Sequence, residues 1–375
     1  MGASDGLVDT KKKIVDHGDD RFRWTLVILG DGFLAEDMEF YHTKVDEVVN
    51  GLRAIEPFTT LWGLINVHRI DVHSTERGVD DPKACGNEDI GGTGALRRTY
   101  FDATRCGDDT RRRVLTVDND LVLDTVNDEV ADWEAIVVLV NSTLEGGAKV
   151  GQVAAVSLTA NLKEVVAHEL GHVLGLADEY DYDGPDRYAS GEEPPQPNVT
   201  IETDQSKLKW RHHLAPAIGS LPKLKADQTC TTSNKGTPSK YPPGTVGLFE
   251  GALYSHCGVY RSEHDCAMRT VTPPTPFCAV CRDAMTKEIL KLSCTQCPLT
   301  LILCGAIYHP DLVWLRSWRN RHLAEERTVM RAIDFVYRRV GPWLTRRLTG
   351  RPRLARVLRR AVVGPLVRML RGRGA

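Results

Sequence analysis

The sequence predicts an α/β domain with a layered mixed sheet, followed by an α-helical basic C-terminal extension. The strands are predicted from short apolar runs at residues 24–29, 65–72, 135–140 and 153–158. A helix is predicted between the first two runs, because apolar residues recur at steps of three and four from residue 34 to residue 54. Strands that alternate with helices in this way are typical of a layered α/β domain.

The distribution of charge separates the two parts. From residue 300 onward the chain carries seventeen Arg and four acidic residues, a net charge of +13, and no Lys. The first 299 residues hold 31 basic and 46 acidic residues, a net charge of −15. Such asymmetry predicts two functional parts. We therefore divide the chain into a polar N-terminal segment at 1–23, a main domain at 24–298 and an Arg-rich amphipathic helical extension at 299–375.

The N-terminal segment and the cysteines bear on the expected compartment. Residues 1–20 contain no apolar core of the kind found in a secretory signal peptide, and no run of ~18 apolar residues occurs in the chain. Ten cysteines in 375 residues are sparse for a disulfide scaffold. We therefore expect reduced thiols and a cytoplasmic location, with peripheral membrane association or non-classical export as the alternatives.

A candidate metal site lies in the stretch from His168 to Asp178. Residues 162–174 read as a helix, in which His168 and His172, four residues apart, share one face and can hold one Zn²⁺ ion. Glu169 stands beside them as the expected general base. The His-Glu-x-x-His pattern is expected roughly 0.02 times by chance in a chain of this composition. The alternative is a surface helix whose two histidines merely face solvent.

The residues after the helix supply a candidate third ligand. Gly175 can leave the helical conformation with little steric cost, so a turn there can bring the chain back towards the two histidines. Asp178 follows at the position from which a carboxylate can reach the same ion. The sequence therefore predicts His168, His172 and Asp178 as the metal ligands.

Several separated stretches resemble the IgA-peptidase family of zinc metallopeptidases, a metzincin-like group. They lie at residues 26–33, 56–58, 65–67, 99–101, 140–142, 146–147, 176–180, 258–262 and 266–269. The resemblance implies a zinc-dependent endopeptidase and places Met268 in a turn beneath the metal, as a floor and not as a ligand. Family members often have one more residue after the second histidine, which makes Glu179 the alternative third ligand.

The cysteine pairs offer a rival metal site. Cys278 and Cys281, and Cys294 and Cys297, have the paired spacing of a four-thiolate zinc site. Apolar residues between the pairs predict a helix, and twelve helical residues span ~18 Å. Both pairs cannot then reach one ion, so packed thiols are the alternative interpretation.

The extension at 299–375 has three interpretations. Apolar residues at steps of three and four predict amphipathic helices at 328–348 and 354–370. The extension can dock on the acidic body, which is the part of the chain at residues 1–299, contact an anionic membrane surface or bind nucleic acid. We expect no nucleic acid, because the extension has no Lys and strong apolar faces.

The function predicted from these features is hydrolysis of peptide bonds in a protein or peptide substrate, with Zn²⁺ as cofactor and Glu169 as general base. Two alternatives remain. One is a catalytically idle peptide- or glycan-binding module that keeps the metal as a structural element. The other is a zinc amidase that acts on a non-peptide amide, because the same chemistry serves any amide.

Overall fold

A computed structural model describes residues 2–294, except for residues 87, 90, 109, 110, 183, 185, 215–222, 225–229, 232, 234–237 and 274. The chain separates into two compact units. One contains residues 1–20 and 25–286, and the other contains residues 21–24 and, within the described chain, 287–294. The predicted helical extension at 299–375 and the boundary near residue 298 lie outside the described residues and stay predictions.

The secondary structure contains the α/β elements expected from the sequence. In chain order the described strands are β1 (Gly6–Val15), β2 (Trp24–Asp31), β3 (Ile65–Ser74), β4 (Ala84–Cys85), β5 (Glu88–Asp89), β6 (Thr104–Arg105), β7 (Leu115–Thr116), β8 (Ala135–Val140), β9 (Gly147–Val150), β10 (Val153–Ser157), β11 (Val199–Thr200), β12 (Lys223–Leu224), β13 (Leu248–Ala252) and β14 (Ser255–Arg261). The α-helices are α1 (Met38–Arg53), α2 (Phe58–Leu61), α3 (Asn119–Glu129), α4 (Leu162–Val173) and α5 (Ala279–Cys294). Within the described chain, no helix has the length and apolarity needed to cross a bilayer.

The main sheet is mixed and has six strands, in the order β1, β3, β2, β8, β10, β9. Strands β2, β8 and β10 are parallel neighbours, while β1 and β9 are antiparallel to β3 and β10. A second sheet has the order β11, β14, β13, β12. The four strands predicted from apolar runs are confirmed as β2, β3, β8 and β10.

Helices cover both faces of the main sheet. Val122 and Val126 of α3 pack in one core with Val27 and Leu29 of β2 and with alternate residues of β8. The opposite face meets α1 and α4, which also contact each other. Because both faces are covered, β2 and β8 are buried along their whole length. This explains why they read in the sequence as continuous apolar runs.

Strand β1 was not predicted. It occupies ten residues of the polar N-terminal segment and pairs along its length with β3. Its Lys11, Lys12 and Lys13 hide any alternation of apolar and polar residues. Lysines are common on edge strands, where they oppose pairing with another chain. The N-terminal segment therefore contributes one of the two edge strands of the main sheet.

The Gly30-Asp31-Gly32 sequence forms a turn at the end of β2. Gly32 has a φ of +72°, and a Cβ there would lie 2.0 Å from the carbonyl oxygen of Gly78, so only glycine fits. The buried Asp31 carboxyl group accepts hydrogen bonds from the backbone N–H groups of Phe101 and Ala103. Burial raises the pKa of Asp31. The carboxyl group thereby fixes the loop between β5 and β6 to the end of β2.

Two disulfides join Cys85 to Cys106 and Cys230 to Cys257. The expectation of reduced thiols is therefore wrong for these four cysteines. That expectation rested on how many cysteines the chain has, and a count does not show which side chains meet in the folded state. Cys266, Cys278 and Cys281 are free and buried.

Glu134, just before β8, is expected to make the stability of the fold depend on pH. Burial raises its pKa from 4.5 to about 7, and the charges of Asp132 and Asp20 act in the same direction. The folded state therefore holds this proton more tightly than the unfolded chain does. Ionisation of Glu134 therefore destabilises the folded state relative to the unfolded chain. This destabilisation is absent below pH 4.5 and grows until the pH passes about 7.

We expect Glu134→Gln to match the wild type at pH 4 and to exceed its free energy of unfolding at pH 8 by on the order of 1–3 kcal/mol. Urea unfolding at both pH values measures the difference. Glu39→Gln, at an exposed position of α1, serves as the control. A Glu134→Gln protein that is no more stable than the wild type at pH 8 would contradict the assignment.

Candidate metal centre

Helix α4 presents the two predicted histidine ligands on one face. The Nε2 atoms of His168 and His172 lie 3.1 Å apart. His168 is 7% exposed, so the nitrogens meet at the inner end of a cleft and not on an open surface. The alternative of a surface helix with two solvent-facing histidines does not describe this geometry.

A turn after α4 brings Asp178 back to the histidines. Gly175 has a φ of +88°, the left-handed conformation that glycine adopts without strain. The N–H group of Leu176 donates to the carbonyl oxygen of Gly171 and closes the turn. Asp178 Oδ1 then lies 3.1 Å from His168 Nε2 and 3.2 Å from His172 Nε2. The three predicted ligands are thus brought together in a nearly equilateral triangle.

Backbone carbonyl groups orient both imidazole rings. His168 Nδ1 lies 2.9 Å from the carbonyl oxygen of Ala267, and His172 Nδ1 lies 3.0 Å from that of Leu176. A carbonyl oxygen only accepts hydrogen bonds, so each Nδ1 must carry the proton. Each Nε2 can then direct a lone pair to the centre of the triangle, as a metal-binding histidine requires.

Asp178 is held by a residue that the sequence did not indicate. The hydroxyl group of Tyr254 donates to Asp178 Oδ2 and leaves Oδ1 for the histidines. Burial alone would raise the pKa of Asp178, but the two adjacent imidazole rings hold it well below its usual range. Tyr254 lies in the turn between β13 and β14, 76 residues from Asp178, so no local spacing could have pointed to it.

Glu169 lines the same cavity as the two histidines and is almost completely buried. Burial raises the pKa of its carboxyl group. A Cβ atom at Gly147 of β9 would lie 3.2 Å from Glu169 Oε1, so the backbone of β9 runs directly beside the carboxyl group. The missing side chain at Gly147 provides the room for Glu169.

Met268 packs against α4 at Gly171, the residue before His172. Its side chain is fully buried, and a Cβ at Gly171 would lie 2.5 Å from Met268 Sδ. Gly171 therefore lets the thioether approach α4 between the two histidines. The backbone carbonyl of Met268 accepts from the N–H group of Glu179, at 2.8 Å. The turn at Met268 thus touches both the helix and the segment that carries Asp178.

Glu179, the alternative third ligand, points away from the histidines. Its Oε1 accepts from Asn198 Nδ2 at 3.0 Å and lies 3.2 Å from Cys281 Sγ. The cysteine cluster also differs from the predicted four-cysteine site. Cys278 and Cys281 lie close to Glu179 and Cys266. The α5 helix begins after Cys278, as predicted. The side chains of Cys294 and Cys297 lie outside the described residues.

The centre opens into a cavity of about 1620 Å³. One wall is β9, the edge strand opposite β1 in the main sheet. Another contains Tyr180 and Tyr254, whose rings pack edge to face with their centroids 5.0 Å apart. Typical small-molecule sites have volumes of ~300–1,000 Å³, so this cleft has room for a larger substrate.

An α/β scaffold that directs two histidines, an aspartate and a buried glutamate into one large cleft is typical of metallopeptidases. The comparison with protein families makes the assignment specific. The family described as IgA Peptidase M64 matches residues 13–241 and 237–289. The chain therefore belongs to this family, which confirms the resemblance seen in the sequence. It is a peptidase, a hydrolase that acts on peptide bonds. A search of the curated proteins found no match.

Gly147→Val is expected to lower peptide hydrolysis by roughly 10²-fold while the metal content stays unchanged, because the new side chain displaces the Glu169 carboxyl group from its position. The control is Val150→Thr, at the exposed end of the same strand and outside the lining of the cleft. Hydrolysis of a fluorogenic peptide and metal analysis of the same samples provide the two readouts. Unchanged hydrolysis in Gly147→Val would show that Glu169 does not depend on this contact.

Proposed function

We propose that this protein is a zinc-dependent endopeptidase of the metzincin type, in which His168, His172 and Asp178 hold Zn²⁺ and Glu169 is the general base. The observation that carries the proposal is the triangle of two Nε2 atoms and one carboxylate oxygen, with sides of 3.1–3.2 Å. Three ligands ~2.0–2.1 Å from one tetrahedral zinc ion lie roughly 3.3 Å apart. The donor set also fits, because imidazole and carboxylate are zinc ligands.

Three fixed ligands leave one coordination position for water or substrate, as in catalytic zinc sites. When bound, zinc polarises the carbonyl group of the scissile bond and lowers the pKa of the attacking water. Met268 supplies a polarizable apolar floor under the site and no ligand bond.

Glu169 moves the proton in this mechanism. It follows His168 directly in the chain and shares its cavity, so its carboxylate can accept a proton from the attacking water and return it to the leaving amine. Its burial raises its pKa, which brings the carboxyl group closer to the operating pH of a proton carrier. No protein side chain has to form a covalent intermediate.

The proposed substrate is an extended protein or peptide segment. Strand β9 lies at the edge of the main sheet, and Ala148 and Lys149 line the cleft. A peptide can add to such an edge as a further strand through main-chain hydrogen bonds. This arrangement favours cleavage within a chain over removal of terminal residues.

Two further proposals concern the rest of the molecule. We propose that the extension at 299–375 docks on the acidic body. Contact with an anionic membrane is the alternative, and we expect no binding of nucleic acid. The cytoplasmic location stays a prediction from the N-terminal sequence. The two disulfides favour an oxidising environment instead, because disulfides persist mainly in such compartments.

Glu169→Gln is expected to retain zinc and fold but to lose about 10²–10⁴-fold in turnover, because it removes the base without altering a ligand. Digestion of a peptide library, with and without a chelator, measures turnover and shows the cleavage positions. Glu164→Gln, five residues earlier on the same helix, is the matched control and should digest the library like the wild type.

Equal turnover in Glu169→Gln would refute the proposed base. A wild-type protein that binds library peptides with zinc present but cleaves none would favour the idle binding module. Cleavage of non-peptide amides alone would favour the amidase.

A further inference from the structure

A second group of metal-ligating side chains lies outside the histidine site. Cys266, Cys278, Cys281 and Glu179 are all at most 2% exposed, and one ligand atom from each lies within 4.8 Å of the others. Cys266 Sγ lies 3.7 Å from Cys281 Sγ. Glu179 Oε1 lies 3.2 Å from Cys281 Sγ and 3.9 Å from Cys278 Sγ. Three sulfurs and one oxygen thus surround a single small volume.

These separations suit one tetrahedral ion. With Zn–S distances of ~2.3 Å, neighbouring sulfurs around a tetrahedral zinc ion lie ~3.8 Å apart. Thiolates are soft ligands that select zinc over harder cations such as magnesium and calcium. Four protein ligands leave no open position, which is the coordination of structural zinc sites.

Backbone N–H groups support the sulfurs as thiolates. The N–H group of Cys278 donates to Cys266 Sγ at 3.2 Å, and that of Cys281 donates to Cys278 Sγ at 3.3 Å. The latter group lies in the first turn of α5, where backbone N–H groups have no partner within the helix and the helix dipole favours negative charge. Second-sphere hydrogen bonds of this kind orient and tune metal ligands.

Glu179 gives an independent indication of a cation. Its side chain is fully buried, and its Oε2 has no hydrogen-bond partner among the described residues. The buried Arg261 attracts it electrostatically, but the guanidinium group donates to the backbone carbonyls of Glu250, Gly251 and His264. An ionised carboxylate in such a place is costly unless a cation or further donors compensate it.

The reduced state of Cys266, Cys278 and Cys281 also favours a shared metal ion. Two other pairs form disulfides, yet these three thiols stay free although two sulfurs lie 3.7 Å apart. One disulfide among three cysteines would leave a lone thiol beside Glu179. A shared metal ion uses all three sulfurs and the carboxylate together.

We propose that Cys266, Cys278, Cys281 and Glu179 form a second zinc site with a structural role. It would join three segments that build the catalytic cleft. Glu179 directly follows Asp178, and Cys266 directly precedes Ala267, whose carbonyl group orients His168. Cys278 and Cys281 fix the start of α5 to both. The second ion therefore fixes the position of the segment that carries Asp178 relative to the turn at Met268.

The test removes the histidine site and asks whether zinc remains. The full chain carrying His168→Ala and His172→Ala is expected to retain one equivalent of zinc, where the wild type holds two. X-ray absorption at the zinc edge should show about three sulfur neighbours at ~2.3 Å in this double variant. Adding Cys281→Ser should remove that equivalent, while a matched control that adds Cys85→Ser and Cys106→Ser should keep it.

The double variant keeps every cysteine, so its spectrum tests the site even if Cys281→Ser does not fold. Absence of zinc from the double variant, a spectrum with only nitrogen and oxygen neighbours, or a disulfide between Cys266 and Cys281 in its mass spectrum would overturn the proposal. Failure of the proposed zinc site at His168, His172 and Asp178 would give a different zinc content. The wild type would then hold a single zinc ion with sulfur neighbours and the double variant would hold the same.

Discussion

The hydrogen bond from His168 Nδ1 to the carbonyl oxygen of Ala267 joins α4 to a turn 99 residues further along the chain. It fixes the tautomer of His168 and the rotation of its ring, and it brings Met268 beneath the helix. The backbone of Met268 in turn holds Glu179, the neighbour of Asp178. The positions of His168 and Asp178 therefore depend on a contact between the helix and the turn.

Three glycines make these contacts sterically possible. Gly171 admits Met268 against the helix, Gly147 leaves room for the Glu169 carboxyl group, and Gly175 adopts the positive φ that returns the chain to the histidines. At each position a side chain would meet a neighbour or strain the backbone. The geometry of the cleft thus rests as much on these absent side chains as on the polar residues that line it.

The sequence revealed most where the signal is local. Strands β2 and β8 are continuous apolar runs because both sheet faces are covered, and α4 carries its two histidines at helical spacing. Long-range partners left no such signal. Tyr254 reaches Asp178 across 76 residues, and Cys266 joins Cys278 and Cys281 without any shared spacing. The polar sequence of β1 gave no signal for an edge strand. The two disulfides depend on which cysteines lie close together in the fold, and this proximity cannot be read from the sequence.

We propose that His168, His172 and Asp178 hold one catalytic zinc ion. Anomalous diffraction from crystals of the zinc-loaded wild type, recorded on both sides of the zinc absorption edge, tests it directly. We expect a peak ~2.0–2.2 Å from His168 Nε2, His172 Nε2 and an oxygen of Asp178, with no bond to Met268. A zinc-loaded crystal without a peak between the two histidines, or with Glu179 in the place of Asp178, would contradict it.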